Sequence, residues 1–227
     1  MHSRFDGYLD GLGKALGHVD REAGLRGYCT GLMLPLERKS VEPMAAGIDP
    51  RRVSARHQAL HHFVAKAQWS DTAVMRAVAD AVLPAMDLDD AVWIIDDTGI
   101  PKKGKHSVGV ARQYCGQLGK QDNCQVAVSI SLATEKASLP MAYRLYLPKD
   151  WAEDPARRRK AGVPAEIAFT TKTQIAAEQL KALLAQGYAK HCVLADAGYG
   201  IDTAFRRWLT DQGLSYVVGI TSAIVVW

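Results

Sequence analysis

The sequence predicts an α/β protein, a mixed sheet with flanking helices preceded by a helical N-terminal region. Three observations carry that reading. Between Val108 and Leu147 apolar residues alternate with polar or small ones, the period of strands with one face in a core. From Thr171 onward helical and strand-like patterns alternate, as in parallel crossover units. Before Pro84 only helical periodicity appears. The implied division is a helical region over 1–88, a candidate DNA-binding part, and a sheet domain over 89–227.

Bulk composition admits this architecture and excludes others. A chain of 227 residues holds one large domain or two small ones. Its 48% hydrophobic and 23% charged residues are ordinary for a globular protein with a sizeable core. The net charge of +4 fits a polyanionic partner without requiring one. Cys29, Cys115, Cys124 and Cys192 form no CxxC pair and read as reduced, cytosolic thiols. The opening residues do not resemble a signal peptide, and no apolar run reaches 18 residues, so a cytoplasmic protein without a membrane partner is expected.

In the helical region Leu9, Leu12 and Leu16 share a face, Gly17 ends the helix, and Asp20 is placed to cap the next. Pro35 and Pro43 mark the stretch 35–47 as containing a turn or loop. Asp49 followed by Pro50 reads as an N-cap with proline at the first helical position. Ser70 caps a helix whose Val74, Ala77, Val78, Ala81 and Val82 form one stripe, and Trp69 with Val74 has hydrophobic-staple spacing.

The sheet is organised around Ala91–Gly99 (AVWIIDDTG), an apolar run that ends in two carboxylates and reads as a central strand buried on both faces. Val108, Val110, Arg112 and Tyr114 alternate in the next strand. A turn-rich connection over 116–123 joins it to Cys124–Leu132, where Val126, Val128, Ile130 and Leu132 share a face. Met141, Tyr143, Leu145 and Leu147 make another alternating strand, closed by Pro148. Residues 149–164 read as a polar, proline-bounded excursion with the basic cluster Arg157, Arg158, Arg159, either a solvated face or a nucleic-acid contact. Thr171 and Gln174 have capping-box spacing ahead of a helix that buries Ala176, Leu180, Leu183 and Leu184 and stops at Gly187. A second strand, His191–Gly200, ends at Asp196. Asp202 caps a short helix with Phe205, Trp208 and Leu209 inward, and Leu214–Ile220 is the last strand.

Two aspartates at strand ends beside basic loops point to metal-dependent chemistry on a phosphate backbone. Neighbouring parallel strands bring their C-terminal ends to one sheet edge, where ligands of open α/β sheets bind. Divalent ions held there activate an oxygen nucleophile and neutralise phosphate charge, and Mg²⁺ needs few carboxylates because it keeps several waters. Asp96 and Asp97 point to opposite faces if the strand is regular, and periodicity leaves open which faces the site. The competing reading makes one a turn cap through Thr98-Gly99 and leaves the other in solvent. Lys102, Lys103 and Lys105 follow at once as candidate phosphate contacts, with Arg112 on the next strand pointing into the same groove. His57 and His61 stand i, i+4 on one helix but lack a partnering acid or cysteine motif for zinc. The aromatic residues mostly fit core patterns, and no helix-turn-helix signature is visible.

The segment Ile95–Gly116 (IDDTGIPKKGKHSVGVARQYCG), with Asn123–Val128, Tyr143–Pro148, Arg157–Pro164 and Leu194–Gly200 (LADAGYG) in order, resembles the DDE transposases of bacterial insertion sequences, nearest to the insertion sequence 701 family. The resemblance runs from about residue 25 to the end. It implies an RNase H-like catalytic fold, Mg²⁺ (or Mn²⁺) as cofactor, and cleavage and strand transfer on double-stranded DNA at transposon ends, with target DNA and a homodimer as further partners and nucleoid association when bound. Carried over residue by residue, Asp97 matches the first acid, with Asp96 as fallback, and Asp196 matches the second. The third acid of the family, a glutamate, lies on a helix downstream of the last strand here, whereas Glu153, Glu166 and Glu178 all precede Asp196 and the sequence stops at Ile224–Trp227. The expectation is therefore a truncated, catalytically incomplete transposase without strand-transfer activity of its own, and with an apolar sheet face left open to self-association. The alternative is a non-catalytic DNA-binding fragment that recognises transposon ends or inhibits the full-length enzyme.

Overall fold

The computed structural model describes residues 3–223. The start of the chain at Met1-His2 and its last residues, Ile224–Trp227, on which the signal-peptide and chain-end readings bear, lie outside the described residues. The chain divides into two compact units, Met1–Ala85 and Met86–Trp227.

The first unit is helical: α1 (Arg4–Ala15), α2 (Glu22–Met33), α3 (Val41–Ile48), α4 (Val53–Ala65) and α5 (Asp71–Val82). Leu12 and Leu16 meet Leu25 and Phe63 in one buried cluster, and Trp69 and Val74 pack against it as the staple spacing predicts. Ser70 caps α5, its hydroxyl accepting from the Ala73 N–H at 3.1 Å. Two local expectations differ, and the loop expected within 35–47 is confined to residues 35–40. Residues 41–48 are helical, because Pro43 falls in the first turn of α3, where no intrahelical N–H is needed. Its Met44 and Ala45 are fully buried against Leu60. Asp49 ends α3 instead of starting α4, and its carboxylate accepts from the Arg51 N–H and from Arg52 Nε at 3.3 and 3.1 Å. Asp20 lies within a 3₁₀ turn, Val19–Arg21, that His18 caps, and α2 begins two residues later.

The second unit holds a six-stranded mixed sheet. Its strands are β1 (Val92–Pro101), β2 (Ala111–Cys115), β3 (Lys120–Ala133), β4 (Ser138–Leu145), β5 (Cys192–Ala195) and β6 (Tyr216–Val218), in the order β2-β3-β1-β5-β6, with β4 also on β3. β1 pairs antiparallel with β3 along its whole length, from Val92↔Ala133 to Pro101↔Cys124. Its parallel pairing with β5 is shorter and ends at Ile95↔Ala195. The two carboxylates therefore stand within β1, at the point where β5 leaves it, and not at the end of the strand.

Helices cover one face of this sheet. In α8 (Lys172–Ala185) the Thr171–Gln174 capping box forms as predicted, and Ile175, Ala176, Leu180 and Leu183 are buried. Gln179 Nε2 donates to the Val128 carbonyl at 3.3 Å, which fixes α8 over β3. Val126, Val128, Ile130 and Leu132 form the buried row of β3, and Trp93, Ile95 and Val193 extend it across β1 and β5. The expectation that β1 is buried on both faces does not hold. Ile94, on the opposite face, is 37% exposed, and its row runs through Leu194 to Val217, 66% exposed. The remaining helices are α6 (Lys149–Ala152), α7 (Pro155–Ala161), α9 (Ala197–Gly200) and α10 (Thr203–Asp211). The excursion over 149–164 is thus mostly helical, with Asp154 capping α7 and Gly162 closing it in the left-handed region. A mixed sheet with antiparallel strands first, parallel crossovers after, and a helical region ahead is an RNase H-like arrangement.

Candidate active site

The register of β1 decides between the paired aspartates. Asp97 has the parity of Trp93 and Ile95 and so lies on the helix-covered face, half-buried. Asp96 points the other way and is exposed, and among the described residues its Oδ1 accepts from the adjacent Asp97 N–H, at 2.7 Å.

Asp196 follows directly on β5. Its Oδ1 accepts from the N–H groups of Gly198 and Tyr199 at 2.8 and 3.4 Å, so the carboxylate caps the single turn of α9. That turn delivers Tyr199 back into the sheet. The Tyr199 side chain is buried, and its hydroxyl donates to Asp97 Oδ1 at 2.7 Å. One tyrosine therefore ties the two aspartates together, by its backbone to Asp196 and by its hydroxyl to Asp97. Burial, then the Asp97 charge, push the Tyr199 phenol far above its ordinary value, so it stays a proton donor. The glycines of the AGYG turn serve the same approach. A Cβ on Gly200 would lie 1.8 Å from the Gly219 carbonyl oxygen, so only glycine lets the segment after β6 pass there.

The other oxygen of Asp97 is also held. Lys172, the first residue of α8, brings Nζ to 2.5 Å from Asp97 Oδ2, and the same ammonium lies 5.5 Å from the Tyr146 ring centroid. Neither Lys172 nor Tyr199 was singled out as a site residue from the sequence. Tyr199 stood inside the quoted LADAGYG segment, but nothing in spacing shows which carboxylate a hydroxyl 102 positions away will reach.

The predicted basic residues fall into two groups. Lys103, Lys105, Arg112 and Arg159 are exposed, and Lys102 is half-buried. The loop that carries the three lysines is pinned by Asn123, whose Nδ2 donates to the carbonyls of Lys102 and Gly104 at 2.6 and 2.9 Å. Arg157 and Arg158, by contrast, turn inward. The Arg157 guanidinium stacks 3.6 Å above the buried Trp151 ring and donates to the carbonyls of Lys105 and Val110. Arg158 donates to the carbonyls of Ala152, Pro164 and Ala165.

The donor set suits a hard, hydrated divalent cation. Asp97 and Asp196 supply carboxylate oxygens, Oδ2 of Asp196 accepts no hydrogen bond among the described residues, and Mg²⁺ is held by as few as one or two carboxylates plus waters. No cluster of three or more His, Cys, Asp and Glu able to hold a metal occurs among the described residues.

Comparison with known proteins places the chain in a family. The sequence model of a family described as "DDE superfamily endonuclease" matches residues 11–227, nearly the whole chain. The protein thus belongs to the DDE superfamily endonucleases. It is similar to the "Probable transposase for insertion sequence element IS701" of Microchaete diplosiphon, with 32% identity over 195 residues. The match covers 85% of this chain but 47% of that relative, so the chain spans about half the length of the curated protein it matches.

Proposed function

We propose that the sheet unit carries the first two acids of a metal-dependent DNA cleavage and strand-transfer centre, Asp97 and Asp196. The observation that supports this best is that Tyr199, just after β5, links them, its backbone N–H to Asp196 and its hydroxyl to Asp97. A divalent cation there would promote attack by water or a 3′-hydroxyl and offset charge on the phosphate. Asp97 and Asp196 would hold it, Mg²⁺ or Mn²⁺ alike. Tyr199 keeps one Asp97 oxygen aimed. Lys103 and Lys105, with Arg112 and Arg159, are the exposed cations available to DNA phosphates, and Lys102 sits beside them. The glutamates Glu153, Glu166 and Glu178 precede Asp196 on other parts of the unit, and Glu178 is paired with Arg144. On this reading full strand transfer needs a third carboxylate, and among the described residues none forms a metal-holding cluster with Asp97 and Asp196.

A second reading, a DNA-binding fragment, is favoured by one feature of the helical unit. A cleft of about 650 Å³ there is lined by His18, Arg21, Arg56, His62 and Lys66 with Asp20 as the acid among its lining residues. One assay separates the two. Cleavage of transposon-end DNA with Mg²⁺ or Mn²⁺ is compared between this chain and one extended by the downstream sequence of the family. Cleavage is expected in the extended chain and lost, by about 10²–10³-fold, in its Asp97→Asn and Asp196→Asn variants. Salt-sensitive DNA binding without any metal-dependent cleavage in the extended chain would favour the binding fragment. Full activity of Asp97→Asn would sink the assignment of that residue.

A further inference from the structure

Lys172 occupies a place that helix formation does not explain. It is the first residue of α8, where the helix N-terminus carries partial positive charge and disfavours a cation. The cap is complete without it: Thr171 Oγ1 accepts from the Gln174 N–H at 3.2 Å and Gln174 Oε1 accepts from the Thr171 N–H at 3.0 Å. The Lys172 ammonium instead meets Asp97 Oδ2, with both side chains about one-third exposed, at 34% and 33%. The Tyr146 ring face lies on its other side. The carboxylate is thereby shared between a hydroxyl on Oδ1 and an ammonium on Oδ2.

We propose that Lys172 is the resident counter-ion of Asp97, and that a divalent cation gains this carboxylate only by displacing the lysine. The inference rests on Asp97 being a metal ligand, as read above. The geometry behind it is direct exclusion. A nitrogen 2.5 Å from Oδ2 fills the approach along which Mg²⁺ would sit, at about 2.0–2.1 Å from the same oxygen. Two cations on one oxygen would also repel at short range. The metal-free site then leaves no half-buried carboxylate unpaired, and metal affinity reflects the exchange of one cation for another. Lys172 is a positioning residue in this scheme, acting on the metal through Asp97.

Mn²⁺ titration of the 227-residue chain tests this, by calorimetry or by loss of the free-ion paramagnetic signal. Lys172→Met keeps most of the stem and removes the charge. It should bind Mn²⁺ about tenfold tighter than the parent, a difference worth about 1.4 kcal/mol. Lys172→Arg keeps the charge and should stay close to the parent. In an Asp97→Asn background, Lys172→Met should make no difference. Metal-free thermal melting supplies the contrast with a purely structural lysine: Lys172→Met should melt lower than the parent yet bind Mn²⁺ more tightly, whereas a structural lysine would lower both. Lys172→Gln carries the same comparison if the methionine variant does not fold. Unchanged or weaker Mn²⁺ binding by the charge-free variants, with Asp97→Asn still weakening the parent, overturns this inference alone. If Asp97→Asn leaves Mn²⁺ binding intact, Asp97 is no ligand, and the inference falls together with the functional reading.

Discussion

The carboxylates of the sheet unit differ in what holds them, and their roles follow from that. Among the described residues, Asp97 is held by side chains from two other segments, Asp196 by its own following turn, and Asp96 by its neighbour's N–H. Asp202 is a fourth case, structural throughout. Its Oδ2 accepts from the Thr173 hydroxyl at 2.7 Å, and its Oδ1 accepts from the Ala204 and Phe205 N–H groups at 2.9 and 3.1 Å, so it caps α10 and ties it to α8. The Thr173 hydrogen bond, with the backbone donors after it, holds this carboxyl below its usual value. A folded-state value below the unfolded one, about 3.9, means that the contribution is complete above that pH and is lost as pH falls through the folded value. Asn caps a helix as well as Asp does, so Asp202→Asn should lower the unfolding free energy through the lost charge on these hydrogen bonds, by about 1 kcal/mol at neutral pH. The gap between variant and parent should close in acid. Urea unfolding at both pH values checks this, and a gap that persists or widens in acid would show that the cap does not act through its charge.

At the scale of elements, α7 is a clasp. Arg157 stacks on Trp151 and reaches the Lys105 carbonyl, so this short helix, the Val110–Leu147–Trp151 cluster and the lysine loop are joined by one guanidinium. Arg157→Met should lower stability by about 1–2 kcal/mol through the lost stacking and hydrogen bonds. Arg159→Ala should leave stability unchanged and reduce the salt slope of DNA binding by about 1, the effect of one phosphate contact. The reverse pattern would mean that Arg159 supports the fold and Arg157 meets the DNA. This division shows where the sequence stops being legible. The charge run was plain in the letters, but whether an arginine turns to solvent or to a carbonyl depends on Trp151, whose burial in a polar stretch no local period announces. Caps and periodic faces were legible, as at Ser70, at Thr171–Gln174 and along Val126–Leu132, because each is written within a few residues. The loop within 35–47 is legible, but its end at Val41 is not: Pro43 breaks a helix interior but not a first turn, and the helix start itself must be known before the proline can be placed. Lys172 and Tyr199 meet Asp97 across 75 and 102 positions, a separation that only the register of β1 with β5 resolves.

At the scale of the whole molecule, the sheet face opposite α8 carries exposed apolar residues among the described ones. Ile94, Val217 and Tyr143 lie on that face or beside it, and are 37%, 66% and 53% exposed. β6 adds a short edge strand with no neighbour beyond it among the described residues, so its backbone groups are open to another chain. Fully burying a large apolar side chain is worth about 1.5–3 kcal/mol. Because each is already about half buried, three from each of two copies supply roughly 5–9 kcal/mol, which barely offsets the cost of association, about 4–15 kcal/mol. Weak self-association is the expected result, with dissociation in roughly the millimolar range and no discrete tight dimer. Sedimentation velocity of the 227-residue chain should show an average size that rises with concentration. Ile94→Lys combined with Val217→Lys should shift it toward monomer without changing the melting midpoint by more than a few degrees, because neither side chain belongs to the helix-covered core. A parent chain that sediments as one sharp monomer at every concentration would mean that this face does not draw a second copy, and the exposed row would then be ordinary apolar surface.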